Sequence, residues 1–291
     1  MRKKQGLIST IILTCLFLVG LSVMLYPSIS NWWNSKTQSR AIASYSEAIT
    51  QINDTDYSDI LELAHAYNRR LLTVDSPLVN YDNIGGYRDA LDISGSGIMG
   101  YISIPQISIE LPIYHGTGEA ELNVAVGHLE GTSLPVGGAS THCVLSAHRG
   151  LPSARLFTDL DQLVVGDSFT ITVLDEVLTY EVEEILIVLP HEIEKLAVIP
   201  DKDYVTLMTC TPYGINTHRL LLRSRRIDTV VERTVRVSAD AVQMDSLIVV
   251  PIIAAPLVLM LIGFWSITGR RKRRLPHWNP IYNLPVRKED D

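Results

Sequence analysis

The segment 206–214 (TLMTCTPYG) is a β-prone run that ends on a cysteine, Cys210, and is followed by a Pro–Gly turn. A thiol at the end of a strand opens onto whatever groove the adjoining loops form. Eight residues further on, His218-Arg219 starts another β-prone run. Strict alternation along 218–226 puts Arg219, Arg223 and Arg225 on one face and Leu220 and Leu222 on the other. If the two strands are neighbours, Arg219 stands near Cys210. A fixed cation there favours the thiolate and can stabilise an oxyanion. The segment 142–150 (HCVLSAHRG) is a third piece, a strand ending in His148 at a Gly-containing turn. A cysteine enzyme needs an acid or base near neutral pH, and imidazole is the usual choice.

Each of these residues also has a bland reading. An isolated cysteine is often buried and inert, and an arginine on a strand is often a solvated charge. The chain has eight histidines, of which His115, His128 and His142 rival His148 in the same region. Cys143 adds a further alternative, because two cysteines in a domain outside the cell can pair as a disulfide. Cys143 is five residues from His148, so along a strand the two point to opposite faces, which favours a buried free thiol at 143. No CxxC or HxxxH pair suggests a metal site. There is no GxSxG, P-loop or strand-to-helix GxGxxG. A metal site is thus the less favoured reading.

The elements that would position these residues follow from periodicity. Apolar residues recur three and four apart over 34–72, and 53–56 (NDTD) interrupts the pattern with cap residues, so two helices are expected. The stretch 73–96 is rich in Gly, Asp, Asn and Pro and reads as loop. From Gly97 short β-prone runs alternate with turns. Strands are expected at 99–104, 108–113, 142–147, 168–173, 177–188, 204–210 and 218–226. The stretch 151–163 (LPSARLFTDLDQL) reads as a short helical excursion. The sum is a mainly β architecture, a closed or nearly closed barrel with helical decoration.

Two runs are too apolar for a soluble fold, 7–27 and 246–267, each near the ~20 residues that cross a bilayer. The first has no small-residue cleavage site after it and is followed by Trp32 and Trp33, so it reads as a retained anchor with aromatic residues at the interface. Arg2, Lys3 and Lys4 precede the first run, and an Arg/Lys cluster at 270–274 follows the second. Basic flanks stay cytoplasmic. The organisation expected is a cytoplasmic end at 1–6, a span at 7–27, a helical extension at 28–96, a barrel at 97–229, a linker at 230–245, a second span at 246–267 and a cytoplasmic tail at 268–291. The protein is thus expected to cross the cell membrane twice, with its middle outside. The formal charge of −7 argues against nucleic acid, whose phosphates call for basic patches.

Taken together, the motifs resemble those of sortases. TLMTC at 206–210 with TPYGINTHR at 211–219 is similar to the active-site strand and loop of that family. LSAHRGLPSARLFTDLD at 145–161 is similar to its catalytic-histidine segment in class C, the pilin-polymerising sortases. GYISIPQISIELPIYHGT at 100–117 and AVGHLEGTSLPVGG at 125–138 agree, so the resemblance runs through 97–227. Two spans also suit class C. The resemblance implies an eight-stranded sortase barrel with N-terminal helices. It implies Cys210 as nucleophile, His148 as general acid/base and Arg219 as transition-state stabiliser and substrate clamp. The implied reaction is membrane-bound transpeptidation, which calls for no metal or organic cofactor. An LPxTG-like signal on a pilin or surface protein is cleaved between Thr and Gly through a thioacyl enzyme and passed to an amine, foremost a pilin lysine in pilus assembly. Anchoring of surface proteins to the Gram-positive cell wall, and hydrolysis by a cell-wall cysteine peptidase, use the same residues.

One feature departs from the pattern. Class C enzymes usually carry a lid with an Asp-Pro-aromatic motif ahead of the barrel, whereas this chain has Asp75-Ser76-Pro77-Leu78 and no Asp-Pro pair. An altered or weakened lid is expected within 75–92. The chain is not itself read as a sorted substrate, since none of its Leu-Pro dipeptides is an LPxTG and none lies in 230–245.

Overall fold

The computed structural model describes residues 2–52, 54–93 and 95–229, with isolated helical positions between 255 and 263. The chain divides into two compact units, Met1–Val235 and Arg236–Asp291. The expected linker at 230–245, the second span at 246–267 and the tail at 268–291 lie outside the described residues, apart from those few positions.

The helix that contains the first apolar run does not stop where that run ends. It continues without a break as α1 (Arg2–Thr50), and α2 (Asp54–Leu71) follows after a short interruption. Helix α1 is long and apolar enough to cross a membrane. Most of its apolar side chains from Ile12 to Ile29 are exposed, and none is buried. Its second half is different. The Tyr45 hydroxyl is fully buried, donates to Met99 O at 3.1 Å and accepts from Leu174 N at 2.8 Å. Tyr57 of α2 likewise accepts from Asp175 N. Asn68 of α2 is buried and pairs with both the N–H (2.7 Å) and the C=O (3.3 Å) of Leu134.

Eight strands close into a barrel: β1 (Ile98–Ile104), β2 (Ile109–His115), β3 (Val126–His128), β4 (Thr141–Ser146), β5 (Ser168–Val173), β6 (Glu176–Val188), β7 (Asp203–Thr211) and β8 (His218–Ile227), in the order β1-β2-β3-β4-β7-β8-β6-β5. The pairs β2–β3 and β4–β7 are parallel and the rest antiparallel. Every strand expected from alternation is present, with ends within two residues of the expectation. Strand β3 was not expected. Its three residues, with Gly127 in the middle, are too few to show a period of two. The short helix α3 (Glu119–Leu122) was also not expected.

The segment 151–163 is not the helix its spacing suggests. It is a series of turns ending in a single 3-10 turn, Leu160–Gln162. Its apolar residues Ala154, Leu156, Phe157 and Leu160 are buried in the barrel core instead of along a helix face. Pro152 and the left-handed backbone of Leu156 (φ 40°) suit a plug more than a helix.

Because the Tyr45 hydroxyl satisfies two buried backbone groups, Tyr45→Phe strands both. The expected cost is about 1–3 kcal/mol of stability, to be read as a lower urea midpoint at unchanged slope for the detergent-solubilised chain. A midpoint equal to wild type would mean that α1 is not fastened there.

Candidate active site

Three adjacent strands, β4, β7 and β8, place the residues singled out above. Alternation decides which way each one faces. Cys143, Leu145, Ala147, Val205, Leu207, Leu220 and Leu222 fill the barrel core. The intervening residues face outward, where Val144, Met208, Leu221 and Leu186 form a second apolar cluster with Val188 and Leu196.

Cys210 stands directly opposite Arg219 across the antiparallel β7–β8 pair, and Arg219 is in turn opposite Val188 of β6. Directly opposed side chains lie with Cβ atoms about 4.5–5.5 Å apart. On the other side, β4 runs parallel to β7 with Ser146 beside Met208. Ala147 N donates to Met208 O at 3.2 Å, and Thr209 Oγ1 donates to Ala147 O at 2.8 Å. Continuing this register by two residues sets His148 level with Cys210. One outward row therefore reads His148, Cys210, Arg219, Val188. All three polar members are partly exposed.

The rival histidines are accounted for. His128 is fully buried. Its Nε2 faces Ser133 O at 2.8 Å and its Nδ1 faces the Tyr87 hydroxyl at 2.9 Å. His142 is bonded at both nitrogens, to Ala197 O at 2.9 Å and Thr206 Oγ1 at 2.7 Å. His115 is buried between Ala90 O (2.7 Å) and Gly97 O (3.0 Å). These three rings join segments of the fold together. Burial pushes His142 below the ordinary histidine range and His128 down to about 4. The His148 ring makes no hydrogen bond among the described residues.

The arginines sort in the same way. Arg223 is paired with Glu184 at 2.5 Å and lies over the Tyr204 ring; Arg225 is paired with Glu181 at 2.7 Å. Arg219 has no carboxylate partner among the described residues, and its guanidinium reaches only the carbonyls of His218 (3.2 Å) and Asn216 (3.4 Å). Of the three it is the cation left over for an incoming group. Cys143 and Cys210 are both free thiols. Cys143 is buried in the core, and burial raises its pKa well above that of an ordinary thiol.

Arg149 follows His148 directly in the sequence. Its largely buried side chain forms an ion pair with Asp161, faces Thr211 Oγ1 at 3.5 Å and lies over the Tyr213 ring at 5.9 Å. It therefore ties the turn after His148 to the loop after Cys210. Tyr213 packs so closely on Gly150 (φ 78°) that a Cβ there would lie 2.8 Å from the ring. The adjacency of Arg149 to His148 was the only signal available beforehand.

On the outer face, towards the other end of β4 from His148, lies a trough of about 450 Å³, lined in part by Leu71, Val74, Leu78, His142, Ile193 and Leu196; it shares Leu78 and Leu196 with the outer apolar cluster, whose Met208 is two residues from Cys210. No group of three or more His, Cys, Asp or Glu among the described residues is arranged to hold a metal ion. A thiol, an imidazole and an unpaired guanidinium in one row beside an apolar cluster can carry out acyl transfer on an extended peptide.

A family model for the sortase domain matches residues 102–227. Sortase A of Streptococcus agalactiae serotype III (strain NEM316) is 34% identical over 117 residues, which are 39% of this chain and 47% of that protein. The chain thus spans about half the length of this curated relative. The crystal structure of sortase C1 from Streptococcus agalactiae is 48% identical, covering 65% of this chain and 98% of that one with a TM-score of 0.59. Sortase C-1 from Streptococcus pneumoniae is 43% identical, covering 66% and 100%, with a TM-score of 0.60.

The buried neutral His128 has a consequence for acid stability. The unfolded chain takes up a proton near the ordinary value of 6.5, whereas the folded chain does so only near 4. The unfolded state therefore binds more protons between these values, and stability falls as pH drops through that window. Over the same range His128→Gln should show a shallower loss than wild type in urea titrations. Equal slopes would contradict a neutral buried His128.

Proposed function

The chain belongs to the sortase family, and from that premise we propose that it is a class C cysteine transpeptidase acting on LPxTG-like signals outside the membrane that holds α1. The observation that carries this is the single outward row of His148, Cys210 and Arg219. Cys210 attacks the Thr carbonyl carbon as the thiolate. The Thr–Gly C–N bond breaks, and the glycine nitrogen leaves with a proton from His148. Arg219, unpaired on the neighbouring strand, stabilises the oxyanion and orients the peptide. A lysine amine of a pilin then attacks the thioester, loses a proton to His148 and releases Cys210 as the thiolate. If water takes the place of the amine the product is hydrolysed, and if a wall cross-bridge takes it the product is anchored. The names of the class C relatives favour the pilin reading.

The outer apolar cluster suits the apolar part of such a signal. With its Thr carbonyl at Cys210, an extended peptide carries its Leu three residues earlier, about 10 Å away at ~3.3 Å per residue. That distance reaches the cluster of Val144, Met208, Leu221 and Leu196.

Leu78 already packs on this cluster. The backbone of Pro77 and Leu78 lies so close to Gly131 (φ 80°) that a Cβ at 131 would clash with it. The segment 75–92 reads as a lid that lacks the Asp-Pro anchor, held instead by Leu78 at one end and by Tyr87 and the Ala90 carbonyl on His128 and His115 at the other. It covers the trough and leaves Cys210 partly exposed. Substrate binding then requires Leu78 to move aside.

The test is transfer of an LPxTG peptide to a lysine-bearing acceptor. Cys210→Ala should abolish transfer while keeping the wild-type unfolding midpoint. His148→Ala and Arg219→Ala should each lower the rate at least ~10²-fold, as expected for loss of a general acid/base or an oxyanion donor. Wild-type activity in Arg219→Ala would remove that residue from the mechanism.

A further inference from the structure

We infer that the end of the barrel carrying Cys210 rests against the lipid headgroup layer of the bilayer that α1 enters. The inference relies on the reading of α1 as a membrane span, and the direction of the helix along the barrel carries it.

Helix α1 fastens to the barrel at both ends. Near Asn31 it meets the turn after His148: Asn31 Oδ1 accepts from Arg155 N at 2.9 Å, and Asn34 Nδ2 donates to Ser153 O at 2.8 Å. At Tyr45 it meets Met99 and Leu174, at the start of β1 and just past the end of β5. Strands β4 and β7 end at the level of His148 and Cys210. Strand β1 starts and β5 ends at the opposite end of the barrel, as the registers require. Asn31 to Tyr45 spans about 21 Å at 1.5 Å per residue. The helix therefore runs from the Cys210 end to the far end, and its membrane half leaves the molecule at the Cys210 end.

The distance left to the bilayer is short. The apolar run ends near Tyr26, so the Asn31 contact lies about 8 Å further along the helix. Trp32 and Trp33 flank that contact and are exposed, as suits residues at the membrane–water interface. The turn at 153–155 is thereby held at headgroup depth.

The rim at this end is apolar where the chain turns. Tyr213 and Ile215 in the loop after Cys210 are 60% and 69% exposed, and Ile187 near the top of β6 is 66% exposed. These side chains suit the boundary between headgroups and acyl chains, with Tyr213 presenting both an apolar ring and a polar tip. The peptide groove then opens towards the membrane surface, within reach of a segment that emerges from the same bilayer.

Photo-crosslinking of the full chain tests this. The protein is reconstituted in vesicles of phosphatidylcholine and phosphatidylglycerol with p-benzoylphenylalanine at one position, and lipid adducts are read by mass spectrometry. The positions are Ile215, Ile187, Trp33 and Glu176, the last at the opposite end of β6. Lipid adducts at Ile215, Ile187 and Trp33 but not at Glu176 are expected. Adducts at Trp33 alone, or adducts at Ile215 to a second copy of the chain in place of lipid, would overturn the inference while leaving the membrane anchor standing. No adduct even at Trp33 would overturn the anchor and the inference together.

Discussion

The site depends on the register of three neighbouring strands. Cys210 and Arg219 are opposed because β7 and β8 pair antiparallel with Leu207 against Leu222 and Thr209 against Leu220. A slip of one residue would turn a strand's alternating set over. Cys210 would then face the packed interior, and Leu207 would face solvent. Burial of Val205, Leu207, Leu220 and Leu222 thus holds Cys210 and Arg219 in place. The parallel β4–β7 pair does the same for His148, with Leu145 and Ala147 facing inward. Arg149 adds a local restraint between the two loops that the strands deliver.

Electrostatics separates the candidates that geometry alone would leave equivalent. Three arginines share the outer face of β8, but two are neutralised by glutamates on β6. Among the histidines besides His148, His115, His128 and His142 are buried with both nitrogens engaged, while His218, next to Arg219, is bonded at Nδ1 to Thr217 Oγ1. A group already satisfied by the fold has no capacity for a substrate. Arg219 and His148 stand apart because the described protein leaves them without such partners.

Much of this was legible from the residues. The β8 alternation gave the common face of Arg219, Arg223 and Arg225, and the five-residue spacing separated Cys143 from His148. Interruption of the helix at 53–56 was written in cap residues. The failures have physical causes. Strand β3 is too short to show a period. The run 151–163 carries helical spacing, but its apolar residues answer to the barrel mouth and not to a neighbouring helix. The glutamate partners of Arg223 and Arg225 depend on a bulge in β6 between Val182 and Glu184, which no local pattern announces. The grip of Leu78 on the outer cluster is a long-range contact with no motif of its own.

The central claim is that Cys210 becomes acylated by the substrate, and intact mass tests it most directly. The reduced full chain in detergent is mixed with an LPxTG peptide, quenched in acid and weighed, both as wild type and as Leu78→Ser to free the trough. The account predicts a mass gain equal to the peptide up to its Thr, present in these proteins and absent when Cys210→Ala is added. A folded, reduced Leu78→Ser protein that gains no mass, or gains it equally without Cys210, would contradict it.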